Sequence, residues 1–273
     1  MQLCLSHLIN ADYQIISEIH VRCASLVWSS KERTGIIYEK NIVDGVEASW
    51  TCAGLVLAYL FFCEGYRGTA VQHRGKYNYI REIAIKANKA GRVTIVSSGE
   101  ENLPEEDGYI LYPNHQGMFD VLAFLETMKR PFSLVFKQEV KDIILLKQIR
   151  EALHYIPMDR SDMKQSMKVI LETSNRVKAG ENFLIFAEGT RSRNGNETLP
   201  FKAGAFKAAT RAKAPIVPVA LLDSYAPFDR STTEPVTVQI HYMKPMYYEE
   251  YAGMKTTEIA LEVEKRIREE IHK

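Results

Sequence analysis

From residue 92 to the carboxyl terminus the sequence switches repeatedly between two hydrophobic periods, and that alternation restricts the fold more than any other feature. The short apolar stretches "RVTIVSS", "GYILYP", "FSLVFK", "HYIPM", "NFLIFAE", "PIVPVALL" and "VTVQIHY" read as strands. Between them "FDVLAFLETMKR", "VKDIILLKQIREAL", "DMKQSMKVILETSNRVKA" and "GAFKAATRA" read as helices, and a charged final helix opens at Thr256. Strands joined through helices need crossover connections, which produce a parallel sheet covered by helices. The expected class is therefore α/β, with a central mostly parallel or mixed sheet flanked by helices. In such sheets ligands bind beyond the carboxyl ends of the strands, so the loops that leave those ends are where chemistry is expected.

The amino-terminal part reads differently. Ile15, Ile16, Ile19, Cys23, Leu26 and Val27 recur at helical spacing, which predicts a helix over residues 13–28. A second helix is predicted for "ASWTCAGLVLAYLFFC", residues 48–63. It would be about 24 Å long, short of the roughly 30 Å hydrocarbon core of a bilayer, so it suits an interface better than a span. Residues 65–92 then carry Arg67, Arg74, Lys76, Arg81, Lys86, Lys89 and Arg92 against one acid, Glu82, while Ile80, Ile83, Ala84 and Ala87 fall on one helical face. A solvated helix face is the bland account of such a run. Beside an aromatic apolar helix it also suits docking on anionic lipid, to which each Lys or Arg contributes about 1 kcal/mol. The expected division is residues 1–66 as a helical, membrane-interfacial region and residues 67–273 as the α/β domain.

Composition narrows the partners. Lys plus Arg total 35 against 34 Asp plus Glu, a net charge of +1, which argues against a nucleic-acid partner. Cys4, Cys23, Cys52 and Cys63 all precede residue 64 and form no CxxC, so neither cysteine catalysis nor a zinc site is expected. Residues 1–20 show no secretory pattern of a basic stretch, an unbroken apolar core and a cleavage site. The expected location is the cytoplasmic face of a membrane, peripheral or monotopic.

Chemistry enters with "YPNHQGMFDVLAFL", residues 112–125, where a histidine and an aspartate stand five positions apart. Seven histidines and nine aspartates would generate roughly 0.2 such pairs by chance. Three occur: His7 with Asp12, His115 with Asp120, and His154 with Asp159. In a helix this spacing leaves the two side chains about 140° apart, and in a strand it puts them on opposite faces, so a pair meets only across a bend. Only the middle pair has a glycine between its members, Gly117, at a predicted strand-to-helix turn. A structural histidine satisfied by a neighbouring carboxylate is the competing account. A second strand runs into a polar turn at "IFAEGTRSRNG", residues 185–195, where glycine allows close approach of a ligand and Arg191 offers a planar fork of donors suited to phosphate.

Taken in order, these stretches resemble the glycerophospholipid acyltransferase family, and closely its 1-acyl-sn-glycerol-3-phosphate (lysophosphatidate) acyltransferases. The resemblance covers residues 93–222, about half of the chain. "GEENLPEEDGYILYPNHQGMFD" is similar to the family's first block, "YIPMDRSD" to its second with Arg160, "FAEGTRS" to its third, and "IVPVAL" to its fourth with Pro218. "LPFKAG", with Lys202 and Gly204, matches the usual lead into the fourth. The sequence departs from the pattern at Gly117, where serine is common, and at Ala187, where proline is common. It also lacks the proline-glycine pair usual after Lys137 and, in residues 1–45, the first apolar helix of many members.

The resemblance implies transfer of a fatty acyl group from a thioester, acyl-carrier protein or coenzyme A, to the sn-2 hydroxyl of lysophosphatidic acid, giving phosphatidic acid without a cofactor or metal. His115 then acts as general base, since imidazole titrates near neutrality, and Asp120 orients its ring. No nucleophilic serine or cysteine stands within "HQGMFD", which favours direct attack by the acceptor hydroxyl over an acyl-enzyme. Arg160 and Arg191, with Lys137 as a third cation, are expected to hold the phosphate. Glu188, Gly189 and Thr190 are expected to shape the floor of that site. Acylation of glycerol-3-phosphate or another lysophospholipid, and thioester hydrolysis, are the alternatives.

Overall fold

The structure, a computed structural model, describes residues 70–137, 154–159, 162–230 and 234–273. The helices expected at 13–28, 48–63 and 140–153, the boundary at residue 66 and Arg160 lie outside these residues. Gly68–Lys273 forms one compact unit. Among the described residues no helix is long and apolar enough to cross a membrane.

Seven strands make one sheet: β1 (Val93–Ser98), β2 (Ile110–Pro113), β3 (Phe132–Lys137), β4 (Ile156–Met158), β5 (Asn182–Leu184), β6 (Ile216–Leu222) and β7 (Val236–Tyr242). Their spatial order is β1-β7-β6-β2-β5-β3-β4. Every neighbouring pair is parallel except β6 with β7, where Leu221 stands opposite Ile240. The expected mostly parallel sheet is therefore present, and its five-strand parallel block sends the carboxyl ends of β6, β2, β5, β3 and β4 to one edge. Central strands are covered on both faces and so lack alternation: all four residues of β2 are buried, as are the first six of β6. The outer strand β1 alternates between half-buried and exposed residues.

The helices are α1 (Ala70–Ala90), α2 (Asp120–Thr127), α3 (Met163–Lys178), α4 (Lys207–Ala212), α5 (Ala226–Asp229), α6 (Tyr248–Tyr251) and α7 (Thr256–Ile271). In α1 the buried residues Tyr77, Ile80, Ala84 and Asn88 recur every three or four positions and face α2. Here the basic stripe needs correction. Arg74, Lys86 and Lys89 are exposed, but Arg81 donates to the Glu126 carbonyl at 2.9 Å and Tyr77 to the Met128 carbonyl at 3.0 Å. Both acceptors are carbonyls at the end of α2, which has no partners of its own there, so Arg81 serves packing rather than a surface. On the opposite side α7 buries Ile259, Ala260, Val263 and Ile267, each large aliphatic side chain contributing about 1.5–3 kcal/mol by leaving water.

Two elements are shorter than their patterns predict. Helix α2 stops at Thr127 because Met128 turns extended and Pro131 follows, where a helix cannot continue. The strand expected through Glu188 leaves the sheet after Leu184. Its next amide, Ile185, still donates to the Leu111 carbonyl at 2.9 Å, after which the chain turns through Ala187 and Glu188. Asn182, 2% exposed, fixes this junction: its Oδ1 accepts from the Gly108 amide at 2.8 Å, and its Nδ2 donates to Asp107 at 2.8 Å and the Pro131 carbonyl at 3.1 Å. Asn182→Ala leaves the half-buried Gly108 N–H and Pro131 carbonyl without this partner. The variant should lose about 2 kcal/mol of stability, read as a lower urea midpoint with unchanged slope.

Candidate active site

The segment after β2 runs extended, and in extended backbone alternate side chains point to opposite sides. Asn114 and Gln116 take one side. Asn114 Nδ2 donates to the Leu221 carbonyl at 2.9 Å while its Oδ1 accepts from the Leu221 amide at 2.7 Å, clamping the segment to β6. Gln116 Nε2 donates to the Leu221 carbonyl at 3.0 Å and to Asn196 Oδ1 at 2.7 Å, and its Oε1 accepts from the Ser224 amide at 2.7 Å. His115 therefore faces the other way.

There its ring meets two partners. It stacks on Phe186 with centroids 4.0 Å apart, and its Nδ1 lies 2.7 Å from Asp120 Oδ2. Asp120 is fully buried at the first position of α2, where the helix N-terminus favours a negative charge. Its carboxylate is saturated. Oδ2 accepts from His115 and from the Gln116 amide at 2.9 Å, while Oδ1 accepts from the Gly117 amide at 3.0 Å and the Ser224 hydroxyl at 2.6 Å. A carboxylate that is ionised only accepts, which assigns the hydrogen on this edge of the imidazole to Nδ1 and leaves the lone pair of a neutral ring at Nε2.

The expected glycine corner takes a different form. Gly117 is not among the residues with positive φ. The bend is made by the Asp120 carboxylate, which gathers the Gln116 and Gly117 amides, and space at the glycine is tight: a β-carbon there would sit 3.3 Å from Tyr225 Cα and 3.4 Å from the Ser224 carbonyl oxygen.

Glu188 holds the second loop against the first. The residue is 1% exposed, and its Oε1 accepts from the His115 amide at 2.8 Å while Oε2 accepts from the Leu199 amide at 3.0 Å. The Ser192 amide adds a bond to the His115 carbonyl at 2.9 Å. Glu188 is thus a strut between loops. Burial pushes its carboxyl up to about 7, against the opposing pull of the His115 and Leu199 amides. Gly189 follows with φ 79°, and Thr190 is exposed.

Two cavities are lined by residues of the loop after β5, which also carries the stacking partner of the histidine. One, of about 240 Å³, is walled mainly by apolar side chains, among them Val135, Ile170, Ile185 and Phe186, with Gly189 at its rim. Phe186 belongs to both this cavity and the imidazole stack. The other, of about 400 Å³, is lined by Arg191, Arg193, Gly195, Tyr225 and Asp229. Lys137 ends β3 opposite Met158, close in sequence to the wall residue Val135, but its side chain lies outside the described residues. Among the described residues no group of three or more His, Cys, Asp or Glu side chains is arranged to hold a metal ion.

Residues 94–222 match the family model described as Acyltransferase. This stretch is an acyltransferase-family domain. Among curated relatives, the domain is similar to 1-acyl-sn-glycerol-3-phosphate acyltransferases of Borreliella burgdorferi (28% identical, 48% of this chain and 52% of that protein) and Chlamydomonas reinhardtii (31%, 62% and 48%). A mouse relative, the alpha form, is 26% identical over 61% of this chain and 60% of that protein. The chain spans about half the length of these relatives. The crystal structure of the 1-acyl-sn-glycerophosphate acyltransferase PlsC from Thermotoga maritima superposes with a TM-score of 0.71 at 20% identity, covering 85% of this chain and 95% of that one, which shows a shared fold.

Of the residues singled out from sequence, the acyltransferase domain brings together His115, Asp120, Glu188, Gly189 and Arg191. Ser224, Phe186, Arg193 and Tyr225 were not anticipated. Arg193 was readable two positions after Arg191, whereas Ser224 and Tyr225, more than 100 residues from His115, carry no local signal. The raised Glu188 carboxyl has a consequence for stability. Its folded value lies above that of an unfolded glutamate, near 4.5, so the native state holds the extra proton between the two values. That contribution is complete below about pH 4.5 and is lost as pH rises through about 7. Glu188→Gln should be less stable throughout, because its NH2 faces an amide N–H, yet its melting temperature should vary less with pH across this window than the wild type's.

Proposed function

We propose that this chain transfers a fatty acyl group from an acyl-carrier-protein or coenzyme A thioester to the sn-2 hydroxyl of 1-acyl-sn-glycerol-3-phosphate, forming phosphatidic acid. One observation carries the reading: an imidazole fixed by a saturated, buried carboxylate stacks on Phe186, a wall of the apolar cavity, while the His115 carbonyl accepts from Ser192, the neighbour of Arg191 in the arginine-lined cavity. That arrangement matches an acceptor with a lipid tail and a phosphate, and the names of the relatives agree with it.

The lone pair on His115 Nε2 takes the proton of the acceptor hydroxyl as its oxygen bonds to the thioester carbonyl carbon. Asp120 stabilises the imidazolium so formed, and ring stacking on Phe186 keeps its plane fixed. The carbonyl oxygen becomes an oxyanion. The Gln116 and Gly117 amides are committed to Asp120, so its donors are the next main-chain N–H groups, at Met118 or Phe119. Collapse breaks the carbon–sulfur bond, and the thiolate leaves with the proton held by His115. Arg191 and Arg193 bind the acceptor phosphate, with Arg160 and Lys137 the further cations suggested by sequence. Glu188, Gly189 and Thr190 shape the loop that presents them. No cofactor or metal takes part in these steps, and the protein works at the cytoplasmic surface of an anionic membrane.

The test is an assay of purified protein with labelled acyl donor, with and without lysophosphatidate. His115→Ala should lower kcat by about 10³-fold or more, and Asp120→Asn by a comparable factor without loss of fold. Arg191→Ala should act mainly on KM for the acceptor. Release of free fatty acid at the same rate without acceptor would instead identify a thioester hydrolase, and preference for glycerol-3-phosphate would change the acceptor.

A further inference from the structure

Helix α3 buries Val169, Thr173 and Val177 against the domain, yet its outer side is not polar. Met163 is 81% exposed, Met167 52% and Leu171 42%, at positions i, i+4 and i+8. Residues at that spacing form one stripe, about 12 Å long. Lys164 and Lys168 run beside it, both exposed, and neither has a carboxylate partner among the described residues. No acid interrupts residues 163–171, and the Asp162 carboxylate before them is occupied capping the Lys164 and Gln165 amides at 2.8 and 3.1 Å.

We propose that this stripe is a lipid-contact surface: Met163, Met167 and Leu171 enter the acyl boundary of an anionic bilayer while Lys164 and Lys168 meet its headgroups. Three observations select a bilayer over a protein. The residues are unbranched or flexible apolar side chains flanked by cations, the composition of an interfacial helix. Three side chains fall far short of the roughly 800 Å² per partner of a stable protein interface. The next strip of the same helix, with Ser166, Val169 and Ile170, walls the apolar cavity whose Phe186 stacks on His115. A tail leaving the bilayer at the stripe thus reaches the cavity around one helix. This last point rests on the proposed acyltransfer; the other two do not.

Methionine oxidation tests the contact on the full chain without turnover. The protein is exposed to hydrogen peroxide alone, with phosphatidylcholine vesicles, or with vesicles that also contain phosphatidylglycerol, cosedimentation establishes binding, and oxidation is followed at each methionine by mass spectrometry. Anionic vesicles should slow oxidation of Met163 and Met167 by about fivefold or more, leaving Met254 unchanged, and Lys164→Glu with Lys168→Glu should weaken that protection. Unchanged rates at Met163 and Met167 on vesicle-bound protein, or no sedimentation with vesicles, would overturn the proposal. So would protection that rises with protein concentration in the absence of lipid, which would mark a contact between copies. Protection with no acyl transfer would fault the proposed activity and leave the lipid contact standing.

Discussion

A single buried carboxylate organises the site. Asp120 has no exposure to water, and a carboxylate in that position costs several kcal/mol unless its oxygens are compensated. Four donors compensate it, and each arrives from a different need of the fold: two amides of the bend, the imidazole, and a hydroxyl delivered from beyond β6. Asp120 cannot be satisfied unless the loops after β2 and β6 are both in place. The same bonds that stabilise the ion therefore position the base.

The second carboxylate, Glu188, works in the same way on the other flank. It joins the loop after β5 to the His115 amide, so three strand ends converge on one histidine. The two acids differ in their compensation. Asp120 has two side-chain donors, two amides and a helix N-terminus, whereas Glu188 has only two amides against its burial, and its carboxyl rises accordingly. The polarity of the two cavities follows from the same loop, since the segment after β5 places Phe186 in the wall of one and Arg191 in the wall of the other.

Much of this was legible in the sequence where the signal is local. The alternation of periods implied a largely parallel sheet, and its carboxyl edge placed the polar loops together. The His115–Asp120 pair could be separated from its two look-alikes by the strand-to-helix boundary. What was not legible depends on pairing between distant segments. Ser224 is an ordinary serine until β6 is placed beside β2. Gly117 read as a flexible corner, because sequence shows a glycine's freedom but not the Tyr225 backbone that packs closely against it. Arg81 read as part of a cationic surface because the carbonyls it satisfies belong to α2, 45 residues away.

The central claim is that Asp120 fixes the tautomer of His115, leaving the basic nitrogen at Nε2. Long-range proton–nitrogen correlation spectra of protein labelled with ¹⁵N in its histidine rings, with His115 assigned by its loss in His115→Gln, read this directly. The account predicts that the neutral ring of His115 carries its proton on Nδ1 and shows an unprotonated Nε2. A ring protonated at Nε2, or one exchanging between both forms, would contradict it.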